Sequence, residues 1–115
     1  MRKTVSLKEN HAFRRLYAKG KSAVCPTLAL YCRKNNRQVN RLGLTTGVKL
    51  GKAVKRNRVR RRLREIYRLH EDAMAPGCDV VVARVRAASS DYRQLEKSFL
   101  RLADKLGLLR RDGAQ

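Results

Sequence analysis

Between Asn10 and Arg64 the chain has no carboxylate side chain, yet that segment holds 17 of its 29 Lys and Arg. Such a segment can become compact only if its cations are directed to one surface and its apolar residues recur regularly enough to be buried beneath them. The rest of the chain is nearly balanced, with 12 basic against 9 acidic residues, so the formal charge of +20 is concentrated in that segment. Charge of this size, with a pI of about 11.2, points to a polyanion as partner. At 115 residues and 43% hydrophobic content the chain can build one core, and it is too short for two ordinary domains.

Apolar periodicity supplies the elements. Ser6-Leu7-Lys8-Glu9 has the form of a capping box, and Gly20 follows Lys19, which predicts a helix from about Leu7 to Lys19 with Phe13, Leu16 and Tyr17 on one face. From Thr27 to Arg33 the residues alternate, with Leu28, Leu30 and Cys32 on one side of a strand and Ala29, Tyr31 and Arg33 on the other. Asn35-Asn36 suits a hairpin turn, and Arg41 to Thr46 reads as the returning strand, predicted to pair antiparallel with the first. Ala75-Pro76-Gly77 supplies a turn before a β-branched strand, Val80 to Val85. Asp91 and Gln94 form a cap-like pair ahead of Leu95, Phe99, Leu102 and Leu106, which recur at helical spacing until Gly107. The tail after about Leu109 is expected to fray. The order is helix, strand, strand, helix, strand, helix, an α+β arrangement.

The helix between the strand pair and the β-branched strand carries GKAVKRNRVRRRLRE, Gly51 to Glu65. Val59, Leu63, Ile66, Tyr67 and His70 fall on one stripe, expected to pack on the sheet, and Arg58, Arg61, Arg64 and Arg68 lie opposite. A solvated face needs no such density of like charge. Lys52, Lys55 and Arg56 stand near the helix N-terminus, where the backbone dipole disfavours cations. Arg56/Arg60, Arg58/Arg62 and Arg60/Arg64 are like-charge pairs at i, i+4, each costing about 0.2–0.5 kcal/mol. A bound polyanion accounts for that cost. The candidate exposed aromatics Phe13, Tyr17 and Tyr31 are what base stacking on a single strand requires; filling a core is the alternative, and it is the stronger one for Phe13.

Other chemistries find little support. No apolar run approaches the ~18 residues of a membrane span, the N-terminal residues lack the apolar core of a signal peptide, and a cytoplasmic protein is expected. Cys25, Cys32 and Cys78 are odd in number and without CxxC spacing, so they read as free thiols. A protein-borne nuclease site would need clustered carboxylates or a histidine pair. His11 stands alone, His70 lies on the core stripe, and Glu71 and Asp72 are helix neighbours about 100° apart.

LGLTTGVKLGKAVKRNRVRRRLRE, Leu42 to Glu65, followed by DVVVAR, resembles the protein subunit of bacterial ribonuclease P, with Arg56-Asn57-Arg58 as its RNR signature. The resemblance runs from about Leu7 to Leu109. It implies a two-layer α/β sandwich of order αβββαβα with a left-handed crossover around the RNR helix. It also implies a ribonucleoprotein that removes the 5′ leader of precursor tRNA, its catalyst being an RNA subunit that binds the magnesium ions, with no obligate protein partner. By the family's pattern Lys52, Lys55, Arg56, Asn57, Arg58, Arg61 and Arg62 contact the catalytic RNA. Phe13, Tyr17 and Tyr31, with Lys49, match the cleft for the precursor-tRNA leader. Gly47 and Val48 stand where the family often has Ser and Lys, and Lys52 where Asn is familiar. A ribosomal-type RNA-binding protein or RNA chaperone would share the charge and the aromatics, but it has no need of the GxAVxRNRxxRxLRE pattern.

Overall fold

The computed structural model describes residues 4–45, 53–83 and 92–109. Its elements are β1 (Thr4–Ser6), α1 (Asn10–Lys19), β2 (Lys21–Val24), β3 (Ala29–Lys34), β4 (Asn40–Leu44), α2 (Ala53–Leu69), a 3-10 turn (Glu71–Ala73), β5 (Cys78–Ala83) and α3 (Tyr92–Lys105). The mixed α+β expectation holds; β1 is added before the first helix, and β2, absent from the order read from periodicity, is the extra strand after it.

That strand displaces the expected capping box. Ser6 is committed to β1, opposite Leu42 of β4, and the next residue continues the pairing, with Leu7 N–H donating to Leu42 O at 2.9 Å. The helix therefore starts at Asn10 with Glu9 as its cap, and Glu9 contributes its backbone carbonyl, which accepts from the N–H groups of Ala12 and Phe13 at 3.1 and 3.2 Å. Gly20 does end α1, but in extended backbone. A side chain there would meet Leu16 O at 2.6 Å and Cys32 O at 2.9 Å.

β3 and β4 do not form a hairpin. The sheet order is β1-β4-β5-β3-β2, so β5 lies between them, antiparallel to β3 and parallel to β4. All six residues of β5 are buried, and a strand with apolar side chains on both faces is most stable at the centre of a sheet. The intervening loop is built to span that gap. Asn36 takes the left-handed conformation (φ 60), while Asn35 donates from its backbone N–H to Gly77 O at 2.9 Å and from Nδ2 to Asp79 Oδ1 at 2.9 Å. The loop is thus tied to the start of β5.

The strand alternation read in β3 divides two layers. On one face Leu30, Cys32, Val80 and Val82 pack with Val59, Leu63, Ile66 and Tyr67 of α2 and with Leu95, Phe99 and Leu102 of α3. On the other, Ala29, Tyr31, Val81 and Ala83 meet Ala12 and Leu16 of α1. Each large side chain fully buried contributes about 1.5–3 kcal/mol. Tyr67 also has a polar task, since its hydroxyl accepts from Thr4 Oγ1 and Asn40 Nδ2, both at 3.1 Å, which fastens β1 and β4 to α2. His70 departs from the core stripe. It follows the end of α2, is half-buried, and places Nε2 2.9 Å from Glu96 Oε2 of α3. Asp91, the end of the Val80–Val85 run and the tail after Leu109 lie outside the described residues.

Candidate nucleic-acid interface

Because Val59, Leu63, Ile66 and Tyr67 bury one side of α2, the helix turns Arg58, Arg61, Arg64 and Arg68 outward, all exposed. Lys55 and Asn57 are exposed and Arg62 is half-buried. Lys52, Lys49, Gly47 and Val48 lie outside the described residues. Arg68 is engaged locally, its Nε donating to Glu65 Oε2 at 3.0 Å, and this hydrogen bond holds the Glu65 carboxyl below its ordinary value. Asn57 accepts from Arg60 through its side-chain oxygen. Arg56 is half-buried, on the flank of the core stripe, and its Nε is out of solvent with no hydrogen-bond partner among the described residues.

A second group of cations on this helix was not legible in the sequence. Arg60 and the exposed Arg64, which belongs to both groups, flank β1, where with Ser6 and Lys8 they line a cavity of about 170 Å³ floored by Leu7, Leu42 and Leu44. No carboxylate lines it among the described residues. The i, i+4 spacing of the two arginines was the available signal, but without β1 there was no opposing wall to aim them at.

The three aromatics come together across α1 and β3. Phe13 and Tyr17 have ring centroids 6.5 Å apart, and Tyr17 meets Tyr31 edge-on at 4.9 Å. Their exposure differs in a way that assigns them different parts: Tyr17 is 44% exposed, Tyr31 only 9%, and Phe13 is half-buried. Tyr31 is the floor of the group, and Tyr17 is the ring with a face open to a ligand. Phe13 fits because residue 43 is glycine, since a Cβ there would stand 2.6 Å from its Cζ.

On the same sheet face lies an ion pair that sequence reading missed. Asp79 is registered between Arg33 of β3 and Arg41 of β4. Arg41 Nε donates to Asp79 Oδ1 at 2.7 Å and its NH2 to Oδ2 at 2.5 Å. Burial pushes the Asp79 carboxyl up, but hydrogen bonds from Arg41 and Asn35 outweigh it and leave the group below its ordinary value. Arg33 stays exposed. Among the described residues, this face thus keeps its buried carboxylate satisfied and leaves Arg33 exposed two residues from Tyr31.

Cys25, Cys32 and Cys78 are free, and burial pushes the Cys32 thiol up to about 11. Among the described residues no three His, Cys, Asp or Glu side chains come together as metal ligands. No described helix is long and apolar enough to cross a membrane.

The family model for Ribonuclease P matches residues 1–107. The ribonuclease P protein component of Natranaerobius thermophilus is 40% identical over 113 residues, covering 97% of this chain and 98% of that one. That of Clostridium botulinum is 40% identical over 104 residues, covering 89% of this chain and 94% of that one. Among solved structures, the Staphylococcus aureus RNase P protein superposes with a TM-score of 0.83 at 29% identity, over 91% of this chain and 97% of that one. The Thermotoga maritima RNase P protein gives 0.75 at 29% identity, over 84% and 92%. With its basic helix, its aromatic group and its sheet all within the matched span, the chain belongs to the ribonuclease P protein component family.

Proposed function

We propose that this chain is the protein subunit of a cytoplasmic ribonuclease P ribonucleoprotein that removes the 5′ leader of precursor tRNA. The outer face of α2, through Lys55, Arg56, Asn57, Arg58, Arg61 and Arg62 and with Lys52 ahead of it, anchors the catalytic RNA. Tyr17, supported by Phe13 and Tyr31 and with Lys49 nearby in the family's pattern, receives leader nucleotides. Hydrolysis belongs to the RNA and the magnesium ions it binds, and the protein's own residues bind and orient. The observation that carries this reading is the separation of two RNA-suited surfaces. The cations of α2 cover one layer of the sandwich, and the aromatic group lies on the opposite face of the sheet.

The test is reconstitution with a bacterial ribonuclease P RNA at low magnesium, where the chain should restore precursor cleavage and a ribosomal-type RNA-binding protein should not. RNA-free protein should cleave nothing. Arg58→Ala or Arg61→Ala should weaken assembly and lower the log-log salt slope by roughly 0.7–0.9 per lost phosphate contact, whatever the leader length. Tyr17→Ala should spare assembly and draw precursor affinity toward that for mature tRNA, by roughly 1–3 kcal/mol for each base that stacks. Equal weakening of precursor and mature tRNA by Tyr17→Ala would overturn the division into two surfaces.

A further inference from the structure

Where the ends of α1 and α3 and the start of β5 meet, the α2/α3 face of the sheet does not close. A cavity of about 380 Å³ opens there, walled by Cys32, Cys78, Pro76 and Leu108. Around it stand Lys19, Lys21 and Lys34, all exposed, and among the described residues no carboxylate lines it. Arg33 borders it between Cys32 and Lys34, though its place in the strand alternation is on the other face beside Asp79. Asp79, next in sequence to Cys78, belongs to the other face and is held by Arg41.

The cavity is preformed, because backbone contacts fix its walls. Gly20 lets the end of α1 rest directly on the Cys32 carbonyl, which brings Lys19 and Lys21 to the opening. Gly107 (φ 74) turns the chain after α3, so that Leu108 N–H reaches Ala103 O at 2.8 Å and Ala75 N–H reaches Leu108 O at 2.6 Å. Asn35 N–H to Gly77 O holds the turn that carries Pro76. Two of the lysines act on the floor itself, Lys21 on the Cys32 thiol and Lys34 on that of Cys78.

An apolar, sulfur-containing floor under a cationic rim suits a ligand that is flat and apolar at one end and anionic at the other. The volume lies at the low end of the roughly 300–1,000 Å³ of ligand sites, room for one nucleotide and not for a duplex. We propose that this cavity is a nucleotide subsite, taking a single unpaired base of RNA, with the adjoining phosphates on Lys19, Lys21 and Lys34. It rests on the RNA-binding reading above, yet it is separate from both surfaces named there: it lies across the sheet from Tyr17 and uses none of the α2 arginines.

The two floor thiols make it testable. The full chain would be held in sulfate at a concentration beyond which its circular dichroism no longer changes, then alkylated with iodoacetamide and mapped by peptide mass. Cys25 lies outside the cavity and serves as internal control. With AMP or UMP at ten times its dissociation constant, Cys78 should react about tenfold more slowly and Cys25 unchanged. Inorganic phosphate at equal ionic strength should give no such protection, and the exposed-site double variant Lys21→Ala/Lys34→Ala should abolish that given by nucleotide. Equal protection by phosphate, reducing the site to a patch of cations, overturns the proposal, and so does the absence of protection by any nucleotide. Either result leaves precursor cleavage in the reconstitution untouched, and a failed reconstitution leaves nucleotide protection standing, so the two readings fail separately.

Discussion

On its α2/α3 face the sheet is closed by two helices with Ile66, Tyr67, Leu95 and Phe99 fully buried, whereas its α1 face is covered by one ten-residue helix that leaves Tyr17 partly in water. The first face is apolar and held mainly by area, with an edge-on Tyr67–Phe99 pair inside it. The second is held by a few specific contacts: an edge-on aromatic pair, the seat for Phe13 over Gly43, and the Arg41–Asp79 ion pair. A small domain can leave one face thin because the other supplies the burial that opposes chain entropy. The thin face is then free to be shaped for a ligand.

The most direct way to break this comparison is to truncate one phenylalanine on each side. Phe99→Ala should destabilise by about 3–5 kcal/mol, enough to unfold a protein of ordinary stability at moderate urea. Phe13→Ala, from a half-buried site, should cost about 1–2 kcal/mol. Urea midpoints at constant m-value measure both, and equal losses would mean the two faces share the load.

Next in size is Arg41→Ala. It strips a largely buried carboxylate of its guanidinium, and the loss should be about 3 kcal/mol near neutral pH. The pH dependence follows from the depressed Asp79 value. A carboxyl whose folded value lies below its unfolded one, near 3.9, contributes stability that is present above that unfolded value and lost as pH falls through the folded one. Wild type and Arg41→Ala should therefore begin to converge in stability as pH falls below about 4 and meet only below the folded value of Asp79. A gap that persists to low pH would assign the effect to packing of the arginine stem.

Tyr17→Ala should cost about 1 kcal/mol or less in stability, the worth of one edge-on aromatic contact, while impairing leader binding as described above. Smallest of all, Arg58→Ala should raise the stability of the free protein by about 0.2–0.5 kcal/mol by relieving the Arg58/Arg62 pair. A loss instead would show that the outer face of α2 is held by contacts of its own.

What the sequence disclosed depended on the range of the interaction. α2 and α3 were legible because their apolar spacing is local, and β3 because its alternation separates Leu30 and Cys32 from Ala29 and Tyr31 as the structure does. β1 and β2 were not. Three residues, Thr-Val-Ser, and four, Lys-Ser-Ala-Val, are too short to show a period, and only their partners make them strands. The neighbours of β5 were also hidden, since a hairpin is the default for strands joined by a short loop and nothing local says that a third will come between them. For the site, the outward arginines, Arg64 among them, could be read from a helical projection, whereas the cavity that Arg60 and Arg64 share depends on β1. Tyr31 was correctly placed off the aliphatic face, but its burial beneath α1 depends on the angle at which that helix lies, which periodicity does not carry.

The central position of β5 also sets the order in which the molecule can be made. β1–β4 and β2–β3 are two separate ladders, joined only through Cys78–Ala83. A chain leaving the ribosome has released every described strand but one, and the whole acid-free segment, before its two ladders can be joined. Until β5 arrives, the most cationic part of the protein is an open polycation with no barrier to contact with nucleic acid. Completion requires closure of long loops, slow steps compared with forming helices or hairpins. The last strand to be translated is the keystone of the sheet, so the nascent protein meets polyanions before it has a fold with which to choose among them.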